Sequence, residues 1–254
     1  MRRNKLSTAL AFCAGLLLLA GLVQGASAMK GNLLVFPGVG TILRAFFRLL
    51  RTGHTWTLIG TSLVHLLLSL AFSAVIGILL GLAEGLSGFF RAMMRPLMTL
   101  LRSMPMIVMI VILMVLLPYP RVPVTASSLF LIPLISEAAC EGCRSIEPEL
   151  LDVYRLNSAL NLRVLFHVHL PLMAGYLRQA WVGAVGMGLR LAISAEYMVQ
   201  TRHSLGKAIY SSAYFNEYED IYAYALIMIL LILAVSELPP LLSRLLRGSR
   251  KASE

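Results

Sequence analysis

Arg190 and Glu196 lie inside residues 180–199, a run apolar enough to cross a membrane. An ionisable group at the centre of such a span costs a few kcal/mol on insertion scales, so it marks a functional site by default. Six positions apart on a helix, the two point to different faces and need separate partners or water. Arg190 on a solute pathway would attract an anion. Glu196, nearer the end of the run, is the second pathway candidate. The competing readings are an interhelical pair or a side chain snorkelling to the interface. Glu137 faces the same choice at the end of another run, and there the interface is favoured. Met104, Met106, Met109 and Met114 give one apolar run a flexible, polarisable flank. That suits either pathway lining or plain packing against lipid and neighbouring helices.

Other chemistry is excluded by spacing. Cys140-Glu141-Gly142-Cys143 with His167 and His169 offers zinc-type ligands, but the histidines are H-x-H rather than three to five residues apart. No G-x-x-x-x-G-K-[ST] occurs; Gly206-Lys207 is followed by Ala208 and lacks the upstream glycine. No nucleophile–base arrangement emerges. His65, within an apolar run, reads as hydrogen-bonded to its neighbours rather than as a proton relay. The expectation is therefore no catalytic residue, no metal and no cofactor, with any energy coming from elsewhere.

The elements that must position these residues follow from composition. Of 254 residues 58% are hydrophobic and only 13% charged, about half the charge of an ordinary soluble domain. A span needs about 20 apolar residues, and such runs recur: residues 6–23, 56–82, 96–117, 122–139, 180–199 and 221–242. The fold class is all-α, a polytopic membrane protein of about six transmembrane helices. The first run follows Arg2, Arg3 and Lys5 and ends in Gly25-Ala26-Ser27-Ala28, so residues 1–28 read either as a first span or as a cleaved signal segment. Residues 29–56 are an extracytoplasmic amphipathic segment, with Val39, Ile42, Leu43, Phe46, Phe47 and Leu50 at helical spacing and Arg44, Arg48 and Arg51 on another face. It lies in the membrane interface or packs on the bundle. Residues 57–243 form the transmembrane domain, with a polar loop at 140–175, and 244–254 form a basic tail.

The net charge of +10 reads as topology rather than nucleic-acid binding. Of 22 Lys and Arg, Arg190 is within a span. Seven (Lys30, Arg44, Arg48, Arg51, Arg121, Arg202, Lys207) fall outside if the N-terminus is inside, and the remaining fourteen fall inside. The bias predicts six spans with both termini cytoplasmic. Removing the first run would leave five spans without moving any other loop.

The polar loop carries the most information. Glu147-Pro148-Glu149 reads as a helix start, since proline suits the first turn and acids favour the dipole there. Residues 148–157 and 161–169 read as two short helices, the second closed by Leu170-Pro171. Neither can span; both offer a surface to a partner. Anchored on Leu170-Pro171, the loop shows Asp152-Val153-Tyr154, Ser158 and Val168. Here the sequence resembles the permeases of binding-protein-dependent ABC importers. In that family an acid and two alanines are followed by glycine six after the acid, an aliphatic residue at sixteen and Leu-Pro at eighteen and nineteen. Asp replaces Glu, Val-Tyr the alanine pair, and Ser the Gly. The nearby Glu137-Ala138-Ala139 matches the first letters, but its register puts Arg155-Leu156 where Leu-Pro belongs. Phe36-Pro37, Arg102-Ser103-Met104-Pro105, Arg144 to Leu151, and Ala195-Glu196-Tyr197-Met198 with Leu205-Gly206 resemble the nitrate, taurine and alkanesulfonate branch.

The resemblance implies two permease copies forming a pathway, cytoplasmic ATPase subunits and an extracytoplasmic substrate-binding protein as partners, lipid around the spans, and no nucleic acid. It implies ATPase coupling through Leu150, Leu151, Asp152, Val153, Tyr154, Ser158, Leu170 and Pro171, with Leu150, Leu151, Val153 and Tyr154 as anchors in the ATPase cleft. The substrate class implied is a small anion or small organic solute. The alternatives are a secondary transporter, which predicts repeats and midplane carboxylates that the sequence does not show, and an integral-membrane enzyme or assembly factor.

Overall fold

A computed structural model describes residues 37–146 and 170–250, with side chains through Ser236, and the helical glycines 15, 21 and 25. The first span candidate and nearly all of the coupling loop, including Leu150, Leu151, Asp152, Val153, Tyr154, Ser158, His167 and His169, lie outside the described residues. Among the described residues the secondary structure is helical, without strands. The helices are α1 (Val39–Arg51), α2 (Gly53–Leu86), α3 (Gly88–Ser103), α4 (Met106–Leu116), α5 (Val122–Arg144), α6 (Leu170–Val199), α7 (Leu205–Tyr214) and α8 (Tyr218–Arg250). Four of them (α2, α5 with its preceding turn, α6 and the first part of α8) are long and apolar enough to cross a membrane. The α3–α4 pair is a candidate fifth, broken span.

Contacts group the chain into two units, Met1–Thr57 with Ala208–Leu230, and Leu58–Lys207 with Leu231–Glu254. In the first, α1 is the predicted amphipathic helix. It buries Ala45, Phe46 and Leu49, whereas Leu43 and Phe47 are exposed. Arg48 pairs with Glu219 at 3.2 Å and with Asp220. Both acids also occupy the first turn of α8, where negative charge complements the helix dipole.

In the second unit α5 and α6 are the principal helix pair. Small residues let α2 approach α5. Ser69, Ser73, Gly77, Gly81 and Gly85 recur every fourth position, and small-residue spacing of this kind allows close backbone contact in membranes. A Cβ on Gly81 would stand 2.5 Å from the Ala139 Cβ and collide with the Ser136 carbonyl, so only glycine fits. Ser73 donates to the Ser128 carbonyl at 3.2 Å across the same seam. The opposite side of α2 presents Val64, Leu68, Phe72, Val75 and Leu79 as an exposed stripe, the face a lipid solvent would cover. A cluster of Met109, Ile110, Leu113, Val122, Ala126, Ala195 and Val199 joins α4, α5 and α6.

Several expectations are corrected. The run 96–117 is not one helix: α3 and α4 meet at a bend of 103°. Pro105 has no backbone N–H and drives Met104 to extended geometry (φ −67, ψ 127), so the helix stops one residue earlier. The polar loop is shorter than 140–175, because α5 continues to Arg144 and α6 begins at Leu170. Leu170-Pro171 therefore stands in the first turn of a long helix; proline is as well suited to a first turn as to a stop. Cys140 and Cys143 consequently sit buried on α5 rather than in a loop. Finally, α8 runs through the expected tail as far as Arg250.

Candidate functional site

Two polar sites occur in the second unit, at opposite ends of α2. The first is built around Glu196. Helix α6 ends at Val199, with Gln200 in the left-handed region (φ 55) and the Thr201 N–H closing on the Glu196 carbonyl. The chain reverses and restarts as α7. The opening amides of a helix have no partner within it. Here each of the first three finds one: Leu205 N–H donates to Ser62 Oγ at 3.1 Å, Gly206 N–H to Glu196 Oε2 at 3.2 Å, and Lys207 N–H to Ser204 Oγ at 3.2 Å. Ser62 Oγ donates in turn to Glu196 Oε2 at 2.7 Å, and the other carboxyl oxygen meets His65 Nδ1 at 2.7 Å.

Glu196 has no solvent exposure at all. Its carboxyl group faces the N-terminus of α7, where a negative charge is favoured. Buried acids persist when paired and hydrogen-bonded, and this one has three neighbours on two oxygens. Gly206 is required by contact. A Cβ there would lie 2.5 Å from the Glu196 Cβ and 2.6 Å from the Ile193 carbonyl, and would strike the Tyr197 amide. The arrangement is a latch holding the start of α7 against α2 and α6. Ser62 and His65 are three positions apart on α2 and so share a face; a polar pair at that spacing inside an apolar run is the sequence signal for it.

The second site is a cleft of about 610 Å³ between the end of α2, the polar face of α3 and the end of α5. Arg91, Arg95, Arg102 and Arg144 line it with Glu84, Glu137 and Glu141. Arg102 pairs with Glu137 at 2.5 Å and donates to the Pro133 carbonyl at 2.8 Å. Glu84, mostly buried, accepts from Ser136 Oγ at 3.4 Å. The guanidinium groups of Arg91, Arg95 and Arg144 have no hydrogen bond or ion pair with other described residues. Sequence reading places Glu137 at an interface and Arg102 in a motif, but does not bring them together.

The remaining candidates are dispersed. Arg190 is exposed on α6, its guanidinium without a partner among the described residues, in a row with Met187, Ser194 and Tyr197. Met109 is buried in the α4–α5–α6 cluster, and Met104 and Met106 pack against its edge. Leu170 is half-buried and Pro171 exposed at the head of α6. Among the described residues no group of three metal-ligating side chains occurs.

Residues 73–248 match the family described as binding-protein-dependent transport system inner membrane component. No curated protein sequence matches the chain. The fold is similar to a crystal structure of a bacterial ABC transporter involved in the import of the acidic polysaccharide alginate. The TM-score is 0.65 at 16% identity, with 96% of each chain covered.

Proposed function

This chain belongs to the inner-membrane components of binding-protein-dependent transport systems, and from that premise we propose that it is the permease subunit of an ABC importer, a passive pathway driven by a separate ATPase. The observation that carries the reading is the extent of the family match. It takes in the bundle from the middle of α2 to the end of α8 and the loop between α5 and α6. In that loop the spacing from Asp152 to Leu170-Pro171 supports a coupling role, with Leu150, Leu151, Val153 and Tyr154 as anchors and Ser158 at the turn. Helix α6 then gives the coupling a rigid lever, because it begins at Leu170 without a break and runs to the latch at Glu196.

A second copy of the chain completes the pathway. Arg190 supports this: an unpaired guanidinium exposed on a spanning helix is costly against lipid, and a water-filled path between two copies removes the cost. Arg190 then faces the solute and favours a small anion or an anionic organic solute, as in the nitrate, taurine and alkanesulfonate branch. Met104 and Met106 flank the pathway, while Glu196 acts on it indirectly by holding α7. The extracytoplasmic binding protein delivers the solute, both termini are cytoplasmic, and the membrane is the inner membrane. Two substitutions test this. Tyr154→Glu is expected to release the ATPase on purification while the chain still inserts; an ATPase that stays bound overturns the coupling assignment. Arg190→Leu is expected to lower anion uptake about tenfold, equivalent to about 1.4 kcal/mol; unchanged uptake removes Arg190 from the pathway.

A further inference from the structure

The arginine cleft has no part in that function, and its surroundings point to a ligand. Helix α3 carries Arg91, Arg95 and Arg102 within sixteen residues, too many charges to cross a bilayer. Its 103° bend from the wholly apolar α4 sets it across that helix. Phe89 is 81% exposed, and Met93, Leu97 and Leu100 are about half exposed along the same stripe. The arginines occupy the other face. This is the pattern of a helix lying in the membrane interface, with its apolar face among acyl chains and its bases at headgroup level.

A second groove, of about 560 Å³, connects the two faces. It shares Ala92, Arg95 and Thr99 with the cleft and continues over Pro96 and Ser103 to Leu100 on the exposed stripe. A path therefore runs from the guanidinium groups, around the small-residue flank of α3, to the surface that lipid covers. The charge balance in the cleft favours an anion. Arg102 and Glu137 neutralise each other, and Glu84 is held by Ser136. That leaves Arg91, Arg95 and Arg144 facing Glu84 and Glu141. Guanidinium groups bind phosphate oxygens in paired, charge-assisted hydrogen bonds. Basic pockets between membrane helices are recurrent sites for phospholipid headgroups. A volume near 600 Å³ lies in the range of small-molecule pockets.

We propose that this cleft holds the phosphodiester headgroup of an anionic phospholipid, with Arg91, Arg95 and Arg144 as its ligands and one acyl chain in the groove over Ala92, Pro96 and Thr99. A lipid bound there would tie the ends of α2 and α5 to α3, bracing the segment that leads into the 147–169 loop.

The test uses the full chain purified in detergent, with lipid occupancy read by native mass spectrometry during titration with phosphatidylglycerol or phosphatidylcholine. Phosphatidylglycerol is expected to bind at least about tenfold more tightly. The triple variant R91Q/R95Q/R144Q is expected to abolish that preference, and R91K/R95K/R144K to keep it, which separates charge loss from misfolding. Thr99→Trp, filling the groove but not the cleft, is expected to weaken long-chain phosphatidylglycerol and spare its deacylated headgroup. Equal binding of the two lipids, or an unaltered preference in the glutamine variant, overturns the proposal. So does displacement of the lipid by millimolar inorganic phosphate, which would make a soluble anion the ligand. Loss of ATPase association with lipid preference intact would make the cleft a protein-docking surface instead.

Discussion

Ser62 and Glu84 sit roughly 33 Å apart along α2 at about 1.5 Å per residue, about a bilayer's thickness, and the two ends are built on opposite principles. At the Ser62 end a single buried carboxyl group gathers a hydroxyl, an imidazole and a helix amide, so both of its oxygens have partners. At the Glu84 end seven charged side chains line one open cleft, and three of the arginines have no side-chain partner among the described residues. The first end is closed around a carboxyl group whose two oxygens are both satisfied. The second is left unsatisfied on a surface where solvent, lipid or a partner can reach it. A pathway subunit has to hold one part of its bundle fixed while another responds to an applied force, and this contrast separates the two.

The sharpest way to break the comparison is Glu196→Ala. It strips the acceptor from Ser62, His65 and the Gly206 amide at once, leaving donors buried without water. Removing one member of a buried charged network costs about 3–5 kcal/mol. Thermal unfolding of the purified chain should show it, and a loss below about 1 kcal/mol would mean that the latch does not hold α7. Gly206→Ala and Gly81→Ala come next. Each forces a Cβ into occupied space, and overpacking of this kind costs about 1–3 kcal/mol. A neutral Gly206→Ala would contradict the close approach of α7 to the end of α6. At the other end effects should be small. Arg102→Gln removes a half-exposed ion pair and one bond to the Pro133 carbonyl, for about 1 kcal/mol. Arg91→Gln should stay within about 0.5 kcal/mol. If Arg91→Gln destabilises the chain as much as Gly206→Ala, the cleft is as tightly built as the latch and the contrast fails.

The sequence makes much of the first end's scaffold legible and little of its chemistry. Apolar runs mark α2, α5, α6 and α8 because lipid demands length and hydrophobicity together. The charged and apolar faces of α1 are separated clearly enough to predict a helix over 39–50. Arg102 and Pro105 interrupt the run 96–117 early, but its length and hydropathy still read as one span, and the bend at Met104-Pro105 is imposed by backbone geometry that hydropathy does not report. Leu170-Pro171 is ambiguous for a related reason: proline both starts and ends helices. The latch joins residues more than 130 positions apart, Ser62 and His65 to Glu196. A lone chain gives no measure of that distance beyond the expectation that a buried acid needs a partner. The four-residue spacing from Ser69 to Gly85 is a signal the sequence reading passes over, although only small residues admit a second backbone so close. The proposed coupling residues follow from spacing and resemblance, and from the position of 147–169 between two spans.

The most direct test of the function places the chain, its ATPase and its binding protein in proteoliposomes and follows solute entry. Uptake should require ATP hydrolysis, and Tyr154→Glu should lower it at least about tenfold while the permease remains inserted and its latch intact. Uptake that proceeds without the ATPase and follows an imposed ion gradient would contradict the account.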